Sequence, residues 1–183
     1  MQVSTRSSDF IVDTLKLRGV LGDQLRPILD DPLKVKVLHG ADMDIQWLQR
    51  DFGLYVVNMF DTGQAARVLN YKSAALAFLL QHFCGVLADK KYQLADWRTR
   101  PLSHEMMKYA REDTHYLLFV YDCLRKELIE EGLKQHQRNP GQLLKLAMHK
   151  SNGICLKTYE KHIVKDFNYY MILQRNEAHN TVA

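Results

Sequence analysis

Between Ser103 and Leu128 apolar residues recur at three- and four-residue intervals: Met106, Ala110, Leu117, Val120, Leu124 and Leu128. That period predicts one long amphipathic helix with its stripe against a core. Asp113 falls inside the stripe. An ionised carboxylate there costs on the order of several kcal/mol unless a cation or a donor meets it. Tyr109 lies four residues earlier and shares the same helix face. The pair marks a candidate site, although Tyr and Asp at this spacing also occur as ordinary structural neighbours.

Upstream, the pattern alternates between short apolar runs and helical periods. Met1 to Thr5 and Phe10 to Leu15 read as strands joined by Arg6-Ser7-Ser8-Asp9. Leu21 to Leu29 reads as a helix that Pro32 limits. Val35 to Leu38 is a compact strand, followed by a helix from Asp42 to Phe52 with Gly53 as its stop. Tyr55 to Phe60 is the next strand, and Asp61-Thr62 can cap a helix through Leu69. Ser73 to Phe83 is apolar and helical. Asp89 to Pro101 is a loop crowded with Lys, Arg, Tyr and Trp. Gly132 to Gly141 reads as a linker, and Gln142 to Lys150 and Thr158 to Leu173 as weaker helices. Strands alternating with helices after a hairpin predict an α/β fold, a mixed sheet covered by helices. In such sheets, sites gather at the carboxyl ends of strands. Asp44 sits just beyond Leu38, on the first turn of a helix whose N-terminus favours negative charge.

Composition changes the picture in two places. The 183 residues suit one domain and carry a formal net charge of +4, with 46% hydrophobic residues. From Gly132 onward there are eight Lys/Arg against three Asp/Glu, so the body is near neutral and the tail is basic. A basic tail suits a polyanion such as RNA, or a solvated surface. Cys84, Cys123 and Cys155 are dispersed and contain no CxxC, which points away from a zinc site or disulfide framework and toward a reducing compartment. No apolar run is long enough for a membrane-spanning helix.

The phrases HGADMDIQWLQRDFGLYV, FDTGQAARVL, YQLADWRTRPL and YAREDTHYLL together resemble the ribonuclease D branch of the DEDD exonucleases, the branch with Tyr in its third motif. Within it the chain is most similar to the ribonuclease-D-like catalytic subunit of the nuclear RNA exosome. The resemblance implies a ribonuclease H-like three-layer fold and a 3′→5′ exoribonuclease releasing nucleoside monophosphates in RNA processing and decay, in the nucleus or nucleolus. It implies two divalent cations, Mg²⁺ or Mn²⁺, about 3.5–4 Å apart. Carried over by position, Asp113 is a metal ligand, Tyr109 orients the attacking water, and Asp44 helps hold the other metal. The implied partners are RNA with a 3′ end and the exosome core with its cofactors.

One departure stands beside the match. The family's first motif is Asp-x-Glu on the first strand, and this chain contains no Asp-x-Glu. The expectation is an exonuclease domain over residues 1–131 that lacks its first strand and first acidic motif. Residues 132–183 are then a basic linker leading toward an absent or incomplete helicase-and-RNaseD C-terminal (HRDC) domain. Electrostatic elements of this kind contribute on the order of 10²–10³ in rate each, so the chain as written should be nearly inactive. A non-catalytic RNA-binding or exosome-associated remnant is the alternative. Lys90, Lys91, Tyr92, Trp97 and Arg98 are candidates for one wall of an RNA channel. Against that, Trp97 can anchor the loop while Arg98 and Arg100 make structural ion pairs. His39 is expected to be packed or hydrogen-bonded, His104 and His115 to be surface groups or to support the site's direct ligands from behind, and Asp61 to cap a helix.

Overall fold

The computed structural model describes residues 1–88, 91–135 and 139–161. In chain order these form strands β1 (Gln2–Ser4) and β2 (Asp9–Ile11), helix α1 (Arg18–Leu29), strand β3 (Lys36–Leu38), helix α2 (Asp42–Phe52) and strand β4 (Met59–Asp61). Helices α3 (Thr62–Val68), α4 (Leu76–Cys84), α5 (His104–His115), α6 (Leu117–Gln135) and α7 (Gln142–Cys155) follow. The expected Thr158–Leu173 helix falls mostly outside the described residues, and 158–161 are not helical.

The strands form two ladders. β1 and β2 pair antiparallel with Val3 opposite Phe10, and β3 and β4 pair parallel with Val37 opposite Phe60. Among the described residues the expected mixed sheet is therefore two separate two-stranded pieces. Helix α5 packs on both strands of the hairpin and α6 packs on β3, so the α5–α6 pair joins the two ladders. The expected Tyr55–Phe60 strand begins only at Met59. Asn58 adopts a positive φ of 57° and its side chain donates to the Pro32 carbonyl at 2.8 Å. Gly53 ends α2 in the left-handed region, as a stop glycine should.

The single long helix predicted over Ser103–Leu128 is two helices that break at Tyr116. The two halves answer to different partners. The end of α5 is tied to the hairpin, where Thr114 Oγ1 lies 2.7 Å from Ser4 Oγ and His115 Nδ1 lies 2.7 Å from Asp9. From Leu117 onward the apolar stripe faces α3, β3 and α7. Met106, Ala110, Leu117, Val120, Leu124 and Leu128 are all buried, as their spacing requires. Phe60 lies at the centre of the main cluster with its ring edge-on to Tyr121 at 4.8 Å.

Gly132, expected to open a linker, belongs to the preceding helix, α6, and is buried there. A linker glycine and a helix glycine in close contact look alike in sequence. Residues 142–155, expected in the basic tail, form α7, which buries Leu143, Ala147, Ser151 and Ile154 against α3, α6 and β4. Side chains of α7 also finish β4: the Met59 N–H donates to Asn152 Oδ1 at 3.0 Å, and the Asp61 N–H donates to Ser151 Oγ at 2.9 Å. An edge whose amides are already bonded does not recruit another strand.

A Cβ on Gly132 would lie 2.3 Å from the Pro140 carbonyl oxygen. Gly132→Ala should therefore lower stability by about 1–2 kcal/mol in urea denaturation, because overpacking outweighs the roughly 1 kcal/mol helix gain of alanine. A net stabilisation would show that residue 140 does not sit against α6.

Candidate active site

Asp44, on the first turn of α2, is reached from the end of β3. The local scaffold is Asp61, fully buried, which accepts from the Ala41 N–H and the Gln64 N–H, each at 2.9 Å. One carboxylate thus holds the starts of α2 and α3 together. His39 is packed as expected, its Nδ1 2.8 Å from Thr62 Oγ1, and burial holds its pKa below the ordinary value. Asp44 itself makes no hydrogen bond or ion pair among the described residues. Its side chain reaches solvent, yet the surrounding protein desolvates it and Asp61 repels it, so its pKa lies above the usual carboxylate range.

Asp113 sits near the end of α5, half-buried beside the apolar stripe. Desolvation first, and the Glu112 charge second, push its pKa up to about 6. It too makes no hydrogen bond or ion pair among the described residues. A desolvated carboxylate that no protein cation meets is what a functional position looks like. Ser103 caps this helix by accepting from the Met106 N–H at 3.2 Å, which sets where Tyr109 and Asp113 lie on its surface.

The basic and aromatic loop folds onto the same helix. The Tyr109 ring lies between Tyr92, edge-on with centroids 6.0 Å apart, and Trp97, tilted at 5.9 Å. The Lys91 ammonium stands 5.1 Å from the Tyr92 ring centre. Lys91, Tyr92, Trp97 and Tyr109 therefore form one surface. Trp97 is half-buried rather than fully buried. Arg98 is turned into an ion pair with Asp96 at 2.8 Å, and Arg100 reaches Asp13 at 2.8 Å and the Trp97 carbonyl. Lys90 lies outside the described residues.

Not all the expected residues meet. The charge acting on Asp44 is that of Asp61, whereas the one acting on Asp113 is that of Glu112. Among the described residues no three His, Cys, Asp or Glu side chains gather as a metal cage. Sequence reasoning treated Asp61 as a cap alone; its second bond, to Ala41 twenty residues earlier, has no sequence signature. It also assigned no role to Glu112, the charged neighbour of Asp113.

A family model described as 3′-5′ exonuclease matches residues 1–129. The chain belongs to the 3′-5′ exonuclease family. It is 55% identical over 179 residues to exosome complex component 10 of Mus musculus, covering 98% of this chain and 20% of that protein. The catalytic core of RRP6 from Trypanosoma brucei aligns with a TM-score of 0.79 and 44% identity, over 95% of this chain and 45% of that one. RNase D of Escherichia coli aligns with a TM-score of 0.64 and 26% identity, over 73% of this chain and 33% of that one. The chain spans about a fifth of the length of the curated relatives it matches. The architecture is accordingly the α/β core of the RRP6 and RNase D exonucleases, with a ribonuclease H-like arrangement of helices on a sheet. Within this family fold, Tyr109 and Asp113 lie on α5 and Asp44 on α2.

The raised Asp113 pKa sets a testable sign. Its ordinary value, near 3.8, is exceeded in the folded state, so ionisation opposes folding above about pH 6 and the penalty disappears as pH falls below about 4. Without divalent cations, Asp113→Asn should raise stability at pH 8 by about 1 kcal/mol, discounted for solvent screening at a half-exposed site. At pH 4 the two proteins should melt together. A destabilised Asn variant at pH 8 would mean that Asp113 holds the fold.

Proposed function

We propose that this chain carries the exonuclease domain of a nuclear-exosome-type 3′→5′ exoribonuclease, which hydrolyses RNA from its 3′ end to nucleoside monophosphates in RNA processing and decay. The observation that supports it most is Asp113, a half-buried carboxylate with no cation partner among the described residues, four residues after Tyr109 in a chain of the exonuclease family. Asp44 and Asp113 suit Mg²⁺ or Mn²⁺ by donor chemistry, since hard cations take carboxylate oxygens and neither group is committed to another partner. They are two ligands rather than a full cage. Two divalent cations, one held by each with further ligands, would neutralise charge developing on the scissile phosphate. Tyr109, its ring lodged between Tyr92 and Trp97, would hold the attacking water through its hydroxyl. Lys91, Tyr92 and Trp97 would receive the terminal nucleotides by stacking and phosphate contact, with Lys90 and Arg98 as further candidates. The exosome core and a nuclear or nucleolar location follow from the named relatives and belong to this proposal.

The chain as written contains no Asp-x-Glu. With that motif absent, hydrolysis by this polypeptide should be weak, and this favours a second reading, an RNA-binding remnant without chemistry. The two readings separate cleanly. In a longer form carrying an Asp-x-Glu strand, a 5′-labelled RNA should shorten from its 3′ end, stop with EDTA, and slow by about 10²-fold or more in Asp113→Asn. Undiminished hydrolysis by Asp113→Asn would sink the enzymatic assignment of that residue. For the 183-residue chain, RNA binding that persists in EDTA without hydrolysis supports the remnant; metal-dependent shortening of the RNA excludes it.

A further inference from the structure

We propose that the outward face of α5 is a second RNA subsite, a phosphate track for the part of the strand upstream of the 3′ end. The ligand class rests on the exonuclease reading above; the site rests on its own geometry. His104, Lys108, Arg111 and His115 fall at spacings of four, three and four residues. At about 100° per residue they share a sector roughly 60° wide, more than 90° away from Tyr109 and Asp113. At about 1.5 Å of rise per residue they span about 16 Å, the reach of four to five stacked nucleotides at about 3.4 Å each. The four line one cleft of about 320 Å³, together with Asp9, Glu112 and Tyr116.

Lys108 and Arg111 share the cleft with two acids, Asp9 and Glu112, and the Asp9 charge also acts on Arg111 at longer range. Asp9 is committed: it accepts from Ser4 Oγ at 2.6 Å and from His115 Nδ1 at 2.7 Å. That bond holds the imidazole at the cleft and leaves Nε2 as its other polar atom. Glu112 lies 3.9 Å from the Lys108 ammonium, both exposed, too loose a pair to keep Lys108 from a phosphate. Arg111 makes no hydrogen bond or ion pair among the described residues. Its planar fork is the group best shaped to bind a phosphodiester through two oxygens. Tyr116 adds an aromatic wall, with His115 edge-on to it at 4.7 Å, on which a base can stack. Cationic groups interleaved with an aromatic ring describe single-strand binding better than base-specific readout.

The test uses the 183-residue chain and a fluorescein-labelled single-stranded RNA of about 20 nucleotides. Anisotropy is read in EDTA between about 50 and 200 mM salt. Each phosphate contact contributes about 0.7 to the slope of log affinity against log salt for a single strand. The Lys108→Ala/Arg111→Ala double variant should lose about 1.4 of that slope and bind roughly tenfold or more weakly at about 50 mM salt. Its melting temperature should not change, because both side chains are exposed. Arg111→Lys, with Lys108 intact, should keep the slope near that of the parent while losing part of the affinity. An unchanged slope in the double variant overturns the track and leaves the exonuclease reading standing. Failure of the parent chain to bind RNA in EDTA overturns the track and the remnant reading, and leaves the exonuclease reading to the hydrolysis assay.

Discussion

The region around the candidate site depends on one buried carboxylate. Asp61 ends β4, caps α3 through Gln64, holds the start of α2 through Ala41, and gives its own N–H to Ser151 of α7. Ser151 in turn donates to the Ala147 carbonyl of its own helix at 2.7 Å. A buried carboxylate is tolerable because charge-assisted bonds from backbone amides compensate its desolvation. The junction of β4 and α3 is thereby held to the start of α2 and to α7 at one point. Asp44 stands on the first turn of α2, next to that point, and its pKa is raised by desolvation first and by the Asp61 charge second.

Asp113 is the opposite case. Half-buried and with no donor among the described residues, it has its pKa pushed up to about 6 by desolvation first and by the Glu112 charge second. Its ionised form opposes folding at neutral pH, whereas Asp61 serves the fold. The break at Tyr116 belongs to the same arrangement. Helix α5 is fastened to the hairpin by Ser4 and Asp9 and covered by the Tyr92–Trp97 loop, while α6 completes the main core. The helix bearing Tyr109 and Asp113 is thus held by surface polar contacts and aromatic packing rather than by the deep core alone.

Much of the candidate site was legible in the chain. Asp113 stood out because it interrupts an apolar stripe, and Tyr109 because it lies one turn away on the same face. Asp44 at its strand-to-helix junction read as a routine helix acid, and only the family resemblance made it a candidate. The Arg98–Asp96 pair and the cap at Asp61 followed from local chemistry, since each partner is near in sequence, whereas Arg100 meets Asp13 across 87 residues and His39 meets Thr62 across 23. The Tyr92–Tyr109–Trp97 cluster was only half legible: the loop's composition was plain, but its seat on α5 was not.

Periodicity determined which residues are buried, where α2 and α5 begin and which face carries the carboxylates, because these depend on neighbours within one or two turns. Tertiary structure decided the rest. It separated the strands into two ladders, divided the predicted long helix at Tyr116, and folded α7 onto β4 where a basic tail was expected. It also joined Asp61 to Ala41 and Asp9 to His115, across 20 and 106 residues of chain. Such bonds draw their energy from desolvation at sites that exist only once the chain has closed on itself, so no local pattern records them.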